Sequence, residues 1–308
     1  MNAYDIVMDL VSKVSDITEL PQNAAYNIRA DAAGAARQST ENIQIITKTD
    51  KPGIDIMIKP GTKGEKVFIP AVITHGGVED LVYNDFYVGE GADVEIIAGC
   101  GVHNCDCEDS HHNGIHRFFV EKNARVRYVE KHFGEGDGTG KRIINPVTEV
   151  FAEEGSYVEM DTVQIEGVDS TNRVNKATLK EGASMVVSEK IMTHGDQTAE
   201  THFDVEMVGK GSSCHLVSRS VAKDTSKQLF QSYMKGDSQC YGHSECDAII
   251  MDSATVSAIP EVVAADVEAQ LVHEATIGKI AGEQLIKLMT LGLTEEEAEA
   301  QIIDGFLK

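Results

Sequence analysis

The sequence of 308 residues predicts a mainly β protein: a right-handed parallel β-helix with a short N-terminal helix and a C-terminal helical hairpin. Apolar and polar residues alternate from about residue 42, and no convincing helix interrupts this pattern before about residue 278. A short turn motif also recurs along the alternating region. The alternative is an antiparallel β-sandwich, in which the same motifs would form ordinary hairpin turns.

The turn motif consists of a charged residue, then Gly or Asn, then a small residue. Gly and Asn tolerate a left-handed backbone, and the small residue lets stacked turns approach closely. Each copy therefore predicts one corner of a coil, and stacked coils share a continuous core. The copies are Glu90-Gly91-Ala92, Lys122-Asn123-Ala124, Glu154-Gly155-Ser156, Glu181-Gly182-Ala183 and Lys210-Gly211-Ser212, with Gly236-Asp237-Ser238 as a degraded sixth.

A short amphipathic helix is predicted over residues 3–15, before Pro21 ends that region. Its apolar residues recur at helical spacing, with charged residues between them. They are Ile6, Val7, Leu10 and Val14.

The last part of the chain predicts two helices. The first runs from Lys279 to Leu291 and ends at Gly292 in a left-handed cap. Thr294 and Glu297 form a capping box at the start of the second. We therefore divide the chain into a helical or irregular segment (1–41), a β-helix core (42–277) and a helical region (278–308).

Composition excludes several classes of function. The formal net charge of −23 argues against a nucleic-acid groove and against binding to a membrane surface, since both need clustered Lys and Arg. No segment is apolar for the length of a membrane-spanning helix, and the N-terminus lacks the pattern of a signal peptide. We expect a cytoplasmic protein whose six cysteines stay reduced and available for metal or sulfur chemistry.

The first group of chemically active residues lies between Cys100 and His116. Thiolate and imidazole at this density suit zinc or an iron–sulfur cluster, although the spacing matches no strong zinc motif. If this stretch is a strand, alternation places His103, Cys105 and Cys107 on one face. The alternative is a cysteine-rich structural loop. The group contains Cys100, His103, Cys105, Cys107, His111, His112 and His116.

Two further groups lie near the C-terminus. Cys246 stands between Glu245 and Asp247 at the start of an apolar strand, and these carboxylates disfavour a free thiolate but not a metal-bound one. The alternative is a buried strand cysteine that packs as a small hydrophobe. His273 and Glu274 lie where strand gives way to helix; without other information, such a pair is usually an exposed edge.

The C-terminal region closely resembles the signature of the SufB/SufD family of iron–sulfur cluster assembly proteins. Glu245-Cys246-Asp247-Ala248 is similar to the same family's cysteine strand and lies at a suitable distance upstream. The resemblance covers mainly residues 200–306. The residues that carry the C-terminal signature are His273-Glu274-Ala275-Thr276, Lys279-Ile280, Glu283-Gln284-Leu285, Gly292-Leu293-Thr294-Glu295-Glu296-Glu297-Ala298 and Gly305-Phe306.

This resemblance implies a non-enzymatic β-helical scaffold that holds an iron–sulfur cluster transiently and works with an ABC-type ATPase resembling SufC. Cys246 matches the cysteine needed to build the cluster, and Glu274 and His273 match residues beside the cluster, with Glu245 adjacent. The resemblance also implies a sulfur donor and apo-protein acceptors. The ATPase would dock on the helical region, through Leu285, Leu288, Leu291, Ile302 and Phe306.

The chain looks like a minimal, stand-alone member of that family, in which a homodimer replaces a pair of different scaffolds. The group from Cys100 to Cys107 does not map onto the family motif. Two alternatives follow: a zinc-dependent β-helix enzyme whose metal is held by His103, Cys105 and Cys107, and a purely structural partner of the ATPase.

Overall fold

The computed structural model describes residues 3–308, and it confirms a mainly β protein with helices at its two ends. The first half contains α1 (Ala3–Ser15), β1 (Ala25–Ala30), β2 (Ala33–Gln38), β3 (Ile43–Thr47), β4 (Gly53–Ile58), β5 (Lys63–Ile73), β6 (Glu79–Val88), β7 (Asp93–His103), β8 (Ser110–Val120), β9 (Arg125–Glu135) and β10 (Arg142–Ile144). The second half contains β11 (Val147–Ala152), β12 (Tyr157–Glu166), β13 (Ser170–Leu179), β14 (Ser184–Thr193), β15 (Thr198–Met207), β16 (Ser212–Ala222), β17 (Lys227–Gly236), β18 (Cys240–Ile250), β19 (Thr255–Ala264), β20 (Ala269–Gly278), α2 (Gly282–Thr290) and α3 (Glu295–Phe306).

The strands form two long sheets whose members alternate along the chain, as a parallel β-solenoid requires. One sheet has the order β2-β1-β5-β7-β9-β12-β14-β16-β18-β20, and the other runs from β19 through β17, β15, β13, β10, β8, β6 and β4 to β3, with β11 continuing the position of β10. Strand pairing is parallel except for β1–β2 and β3–β4 at the N-terminal end. The predicted solenoid is therefore confirmed, and the sandwich alternative is wrong.

The predicted corners have the expected left-handed backbone. Their N–H groups form a ladder along the solenoid: Gly91 donates to the Lys122 carbonyl (2.9 Å), and Gly155 donates to the Glu181 carbonyl (2.8 Å). The small residue after each corner is buried, so successive coils approach closely. The φ angles are 64° at Gly91, 56° at Asn123, 67° at Gly155, 63° at Gly182 and 74° at Gly211.

The degraded sixth copy, Gly236-Asp237-Ser238, is not such a corner, because its backbone does not take a positive φ. Gly236 is instead the last residue of β17. A Cβ there would lie 2.6 Å from the Cys240 sulfur, so this position needs glycine for space within the coil.

Helix α1 lies on the outside of the first sheet, as its apolar spacing predicts. Leu10 and Val14 are completely buried against β7. The helix can approach the strand closely because Gly99 has no side chain. A Cβ at this position would lie only 2.5 Å from the Val14 carbonyl oxygen.

The sheet begins earlier in the chain than the sequence predicts. Strands β1 and β2 occupy residues assigned to an irregular segment, and β1 pairs in parallel with β5. β2 consists mostly of small and polar residues, so it lacks the apolar alternation that marks the later strands.

The middle of the solenoid interior is polar. Arg173 is 1% exposed and its guanidinium donates to the Glu130 carboxylate. Its Nε lies 3.5 Å from Glu189 Oε1, and its Nη2 lies 3.1 Å from His132 Nδ1. This arrangement places two buried carboxylates against one buried cation.

The C-terminal hairpin packs along the side of the solenoid. Ile303 and Leu307 pack against Val221, at the ends of strands in the first sheet. The predicted capping box is present, since Thr294 and Glu297 bond to each other's backbone N–H groups. Helix α2 begins three residues later than predicted because β20 continues to Gly278. None of the described helices has the length and apolarity needed to cross a membrane.

Candidate functional site

The last coils position the C-terminal group of predicted site residues. In β18 the side chains alternate, so Cys246 faces the interior while Glu245 faces outward. In β20, Glu274 lies opposite Glu245 and His273 lies opposite Ser244. Alternation therefore divides the predicted set, with Cys246 and His273 inside and the two glutamates outside.

The outer face brings together one imidazole and two carboxylates. His243, Glu245 and Glu274 each offer a ligand atom within 4.8 Å of the others, and no other such group of three occurs among the described residues. His243 Nε2 lies 3.6 Å from Glu274 Oε2, and its Nδ1 lies 3.1 Å from His215 Nδ1. The sequence analysis missed His243, although it lies two residues before Glu245 and hence on the same face. Nitrogen and oxygen donors of this kind suit divalent iron or zinc.

The inner face holds the thiol. Cys246 is 1% exposed, and burial, with smaller contributions from Glu189 and Asp247, raises the pKa of this thiol to about 12. It is therefore protonated at neutral pH, and it could act as a ligand only if a metal ion displaced the proton. Both ring nitrogens of His273 are buried without a partner in the described chain. Burial, and then His243, lower the pKa of His273, so its imidazole is neutral and a lone pair is free.

This coil is at an open end of the solenoid. β20 and β19 are the last strands of their sheets, so each has one unpaired edge. Large apolar side chains on these strands are exposed, among them Ile259, Val262, Val272 and Ile277. Only β20 lies between Cys246 and this open edge.

The structure separates the predicted group between Cys100 and His116 into two parts. β7 ends at His103, so Cys105 and Cys107 lie in an exposed loop instead of alternating along a strand. Cys100 is buried inside the solenoid. The expected common face for His103, Cys105 and Cys107 is wrong for this reason, and their ligand atoms do not converge within 4.8 Å.

The interior part contains a thiol whose pKa is lowered. Burial raises the pKa of Cys100, but the neighbouring His112 and His132 outweigh it and bring that pKa down to about 7. Burial lowers the pKa of His112, but Cys100 and Asp80 outweigh it and raise that pKa to about 10. Asp80 Oδ2 lies 3.0 Å from His112 Nδ1 and fixes the ring. The sequence analysis missed Asp80 and His132, which lie on other coils.

Helix α2 exposes apolar side chains. It has no buried residue: Ile286 is 63% exposed, and Leu291, directly after the helix, is 77% exposed. Of the predicted docking residues, only Leu291 is exposed, while Leu285, Leu288, Ile302 and Phe306 are half-buried. Ile286 was not predicted to contact a partner, yet it is more exposed than those four.

Comparison with known proteins agrees with these features. Residues 83–306 match the model of the SufBD core domain, described as SUF system FeS cluster assembly. An iron–sulfur cluster assembly SufBD family protein of Methanothermobacter thermautotrophicus is 29% identical over 261 residues, 83% of this chain and 62% of the relative. The chain thus spans less than two thirds of that protein.

Two other relatives carry the same family name. The protein of Archaeoglobus fulgidus is 29% identical over 84% of this chain and 69% of its own length. The protein of Methanocaldococcus jannaschii is 24% identical over 100% of this chain and 99% of its own length. The chain belongs to the SufBD family of SUF system iron–sulfur cluster assembly proteins.

Proposed function

We propose that this protein is a scaffold on which iron–sulfur clusters are assembled and from which they are passed to acceptor proteins. The observation that carries the proposal is the set of sulfur, nitrogen and oxygen donors around the edge strand β20. The cluster is cargo, so weak and mixed ligands suit it better than a closed cage of four thiolates. The unpaired state of all six cysteines is consistent with a reducing cytoplasm.

The two faces of β20 have separate roles in this proposal. Iron meets His243, Glu245 and Glu274 on the outer face, where carboxylates are accessible. Cys246 and His273 complete the site when β18 and β20 move together, so that the inner face of this last coil becomes accessible.

A second copy of the chain would complete the open end. An unpaired edge with exposed Ile259 and Val262 is normally covered in native proteins. A two-fold axis through this edge would join the sheets of two copies and bring two half-sites together. The homodimer is thus the assembly that this edge favours.

An ABC-type ATPase would supply the displacement. Ile286 on α2 and Leu291 directly after it provide an apolar surface for the ATPase, since a helix without buried residues gains stability by docking. ATP can shift the scaffold only if the ATP-bound partner prefers the conformation with β18 and β20 displaced.

Anaerobic reconstitution with iron and sulfide tests the ligand assignment. Cys246→Ser should lose the visible absorption of the cluster. Cys214→Ser is the matched control, because Cys214 is also 1% exposed and burial also raises the pKa of its thiol to about 12. Full cluster formation by Cys246→Ser, or equal loss in both variants, would contradict the assignment. Metal analysis of the same samples separates this function from the zinc enzyme, which would bind zinc and take up no sulfide.

Light scattering and co-purification test the partners. Val262→Lys should convert a dimer to a monomer, and a dimer unchanged by this substitution would contradict the proposed seam. Ile286→Asp should reduce co-purification with the ATPase, whereas Lys287→Ala on the same helix should not. Retention of the ATPase by Ile286→Asp would exclude α2 as the docking surface.

A further inference from the structure

Helix α1 runs along the outside of the first sheet, in the direction opposite to strand β7. A Cβ on Gly99 would lie 2.5 Å from the carbonyl oxygen of Val14. A Cβ on Gly101, two residues further along the strand, would lie 3.3 Å from Leu10, four residues earlier in the helix. The helix and the strand therefore pass the same points in reverse order.

Helix α3 lies on the same face and has the same direction. Ile303 packs against Val221 of β16, and Lys190 Nζ donates to the backbone carbonyl of Lys308 just after the helix (2.7 Å). In the strand register Lys190 lies opposite Arg219, two residues before Val221. Because α3 passes Val221 before it reaches the level of Arg219, it also runs opposite to the strands. The helices α1 and α3 thus point the same way.

The space between α1 and α3 has the width of one more helix. In the first sheet β9, β12 and β14 separate β7 from β16, so four strand steps of about 4.8 Å place the two helices about 19 Å apart. Packed helices lie about 8–10 Å apart, so a helix between α1 and α3 would contact both. The other described helix, α2, has no buried residue and does not fill this space.

The floor of the space between the helices is an apolar groove. A cavity of about 520 Å³ lies over Phe133 and Val163, and one of about 940 Å³ lies over Met192 beside α3. Ile165 lines both cavities, so they form one groove along β12. All four side chains are half-buried. An open apolar groove of this size is typical of a surface that binds a partner.

Lysines surround one end of the groove. Lys131 and Lys190 lie on either side of Val163 in the strand register, and Lys13 of α1 lines the same cavity as Lys131. The chain has 27 Lys and Arg against 50 Asp and Glu, so three lysines at one apolar groove depart from the general charge of the protein. They favour a partner that presents carboxylates at this end.

The present contacts of these lysines are replaceable. Lys190 donates to a backbone carbonyl and not to a carboxylate. Lys131 pairs with Asp16 (2.6 Å), whose side chain is 77% exposed, and Lys13 pairs with Glu135 (2.6 Å). Exposed ion pairs contribute little to stability, so carboxylates of a partner can take their place.

The acidic residues that line the groove lie mostly at its other end. Asp304 is the exception, and it pairs with Lys308 (2.5 Å). Glu299 precedes Lys308 by nine residues, which corresponds to about 13 Å along a helix. A partner helix therefore needs carboxylates in one half only. The acidic residues at the far end are Glu166, Asp224, Asp252, Glu296 and Glu299.

We propose that this groove binds an amphipathic helix of a partner protein. The apolar face of that helix would cover Val163 and Ile165, and its carboxylates would meet Lys131 and Lys190. The bound helix would complete a layer of three helices on the first sheet. The proposal does not rest on the scaffold function, because the groove lies on β9, β12 and β14, whereas the proposed cluster ligands lie on β18 and β20.

Fluorescence anisotropy with a defined peptide tests the proposal. The probe is a hydrocarbon-stapled helix of 12 residues, the length of α3, with leucines on one face and glutamates beside them in one half. It should bind the full chain saturably. A second peptide with lysines in place of the glutamates should bind about tenfold more weakly or worse, because it meets Lys131 and Lys190 with like charge. A probe that does not saturate, or equal affinity of the two peptides, would overturn the proposal.

Substitutions show whether the probe occupies the groove. Val163→Glu places a charge in the apolar floor and should weaken binding by about tenfold or more. Val186→Glu is the matched control, because Val186 is also a half-buried, outward-facing valine of the first sheet but does not line the groove. Lys190→Glu leaves the floor intact and should reverse the preference between the two peptides. Unchanged binding by Val163→Glu, equal loss in Val186→Glu, or an unchanged preference in Lys190→Glu would contradict the assignment.

Two further measurements exclude other occupants. Ile286→Asp should bind the probe as the wild type does, since α2 does not line the groove; loss of binding would place the probe on α2. Light scattering compares the wild type with Val163→Glu, and the two should have the same mass. A wild-type dimer that becomes a monomer in Val163→Glu would show that a second copy of this chain covers the groove, which would overturn the proposal.

Discussion

Replacing the buried arginine of the interior network should destabilise the protein strongly. Arg173→Met removes the guanidinium that contacts both Glu130 and Glu189 inside the solenoid, and all three side chains are 1% exposed. Breaking one side of a buried ion pair costs about 3–5 kcal/mol because the remaining charge is buried without compensation. For a chain of 308 residues, that loss corresponds to a fall in Tm of about 5–8 °C.

A surface arginine provides the control. Arg127 is 49% exposed and forms ion pairs with Glu95 (2.6 Å) and Asp161 (2.8 Å). Solvent screens these pairs, so Arg127→Met should cost less than about 1 kcal/mol. Thermal unfolding followed by circular dichroism compares the two variants. Equal Tm values for Arg127→Met and Arg173→Met would refute the reasoning.

The pH dependence gives an independent check on the same residue. In the wild type, burial raises the pKa of Glu130, but His132 and Arg173 outweigh it and hold that pKa well below its ordinary value. The stability that the low pKa of Glu130 contributes is present above the pKa of this residue in the unfolded chain. It is lost as the pH falls below that value. Without Arg173, one of the two cations that lower the Glu130 pKa is lost, so that pKa moves up towards its ordinary value and the loss of stability in acid becomes smaller. The urea midpoint should therefore fall less between pH 7 and about pH 3 in Arg173→Met than in the wild type, and an equal fall would contradict the pairing.

The remaining predictions concern the corners and the interior acid. Gly182→Ala should lower the free energy of unfolding in urea by about 1 kcal/mol, because φ at this residue is +63°. The new Cβ has space, so the backbone alone causes the loss. An unchanged free energy of unfolding would contradict the need for a left-handed residue here. Gly155→Ala should cost more, because its Cβ would lie 2.5 Å from Asn123 Oδ1, and an equal loss would contradict the clash. In Asp80, burial raises the pKa, but His112 and Arg29 outweigh it and lower it to about 2. Asp80→Asn should thus lower the free energy of unfolding by about 2 kcal/mol at pH 7. The difference in stability between this variant and the wild type should become smaller as the pH falls from about 4 towards 2. A difference that stays constant over this range would contradict the ion pair.

Local chemistry made the corners and the C-terminal hairpin predictable. A left-handed Asn123 and the capping box between Thr294 and Glu297 depend on a few adjacent residues, so the sequence contains the information directly. The pairing of His103 with Glu135 was not predictable, because it depends on the register between two coils. That register can be read only after the length of every intervening loop is known.

The same reasoning explains the error at the cysteine-rich loop. Alternation applies only while a strand continues, and β7 ends at His103 because Asn104 turns into the protein and bonds the loop backbone. Asparagine often forms such local turns, so this residue was a signal that the sequence analysis passed over.

The ladder of corner hydrogen bonds has a consequence for chain length within the family. Each corner bonds only to the corners beside it, as Gly182 does to Lys210, so the middle coils are interchangeable modules. Inserting or deleting one whole module would alter the separation between the Cys105 loop and strand β20 while leaving each of them intact. Relatives of unequal size can therefore preserve both ends of such a rod and differ in the span between them.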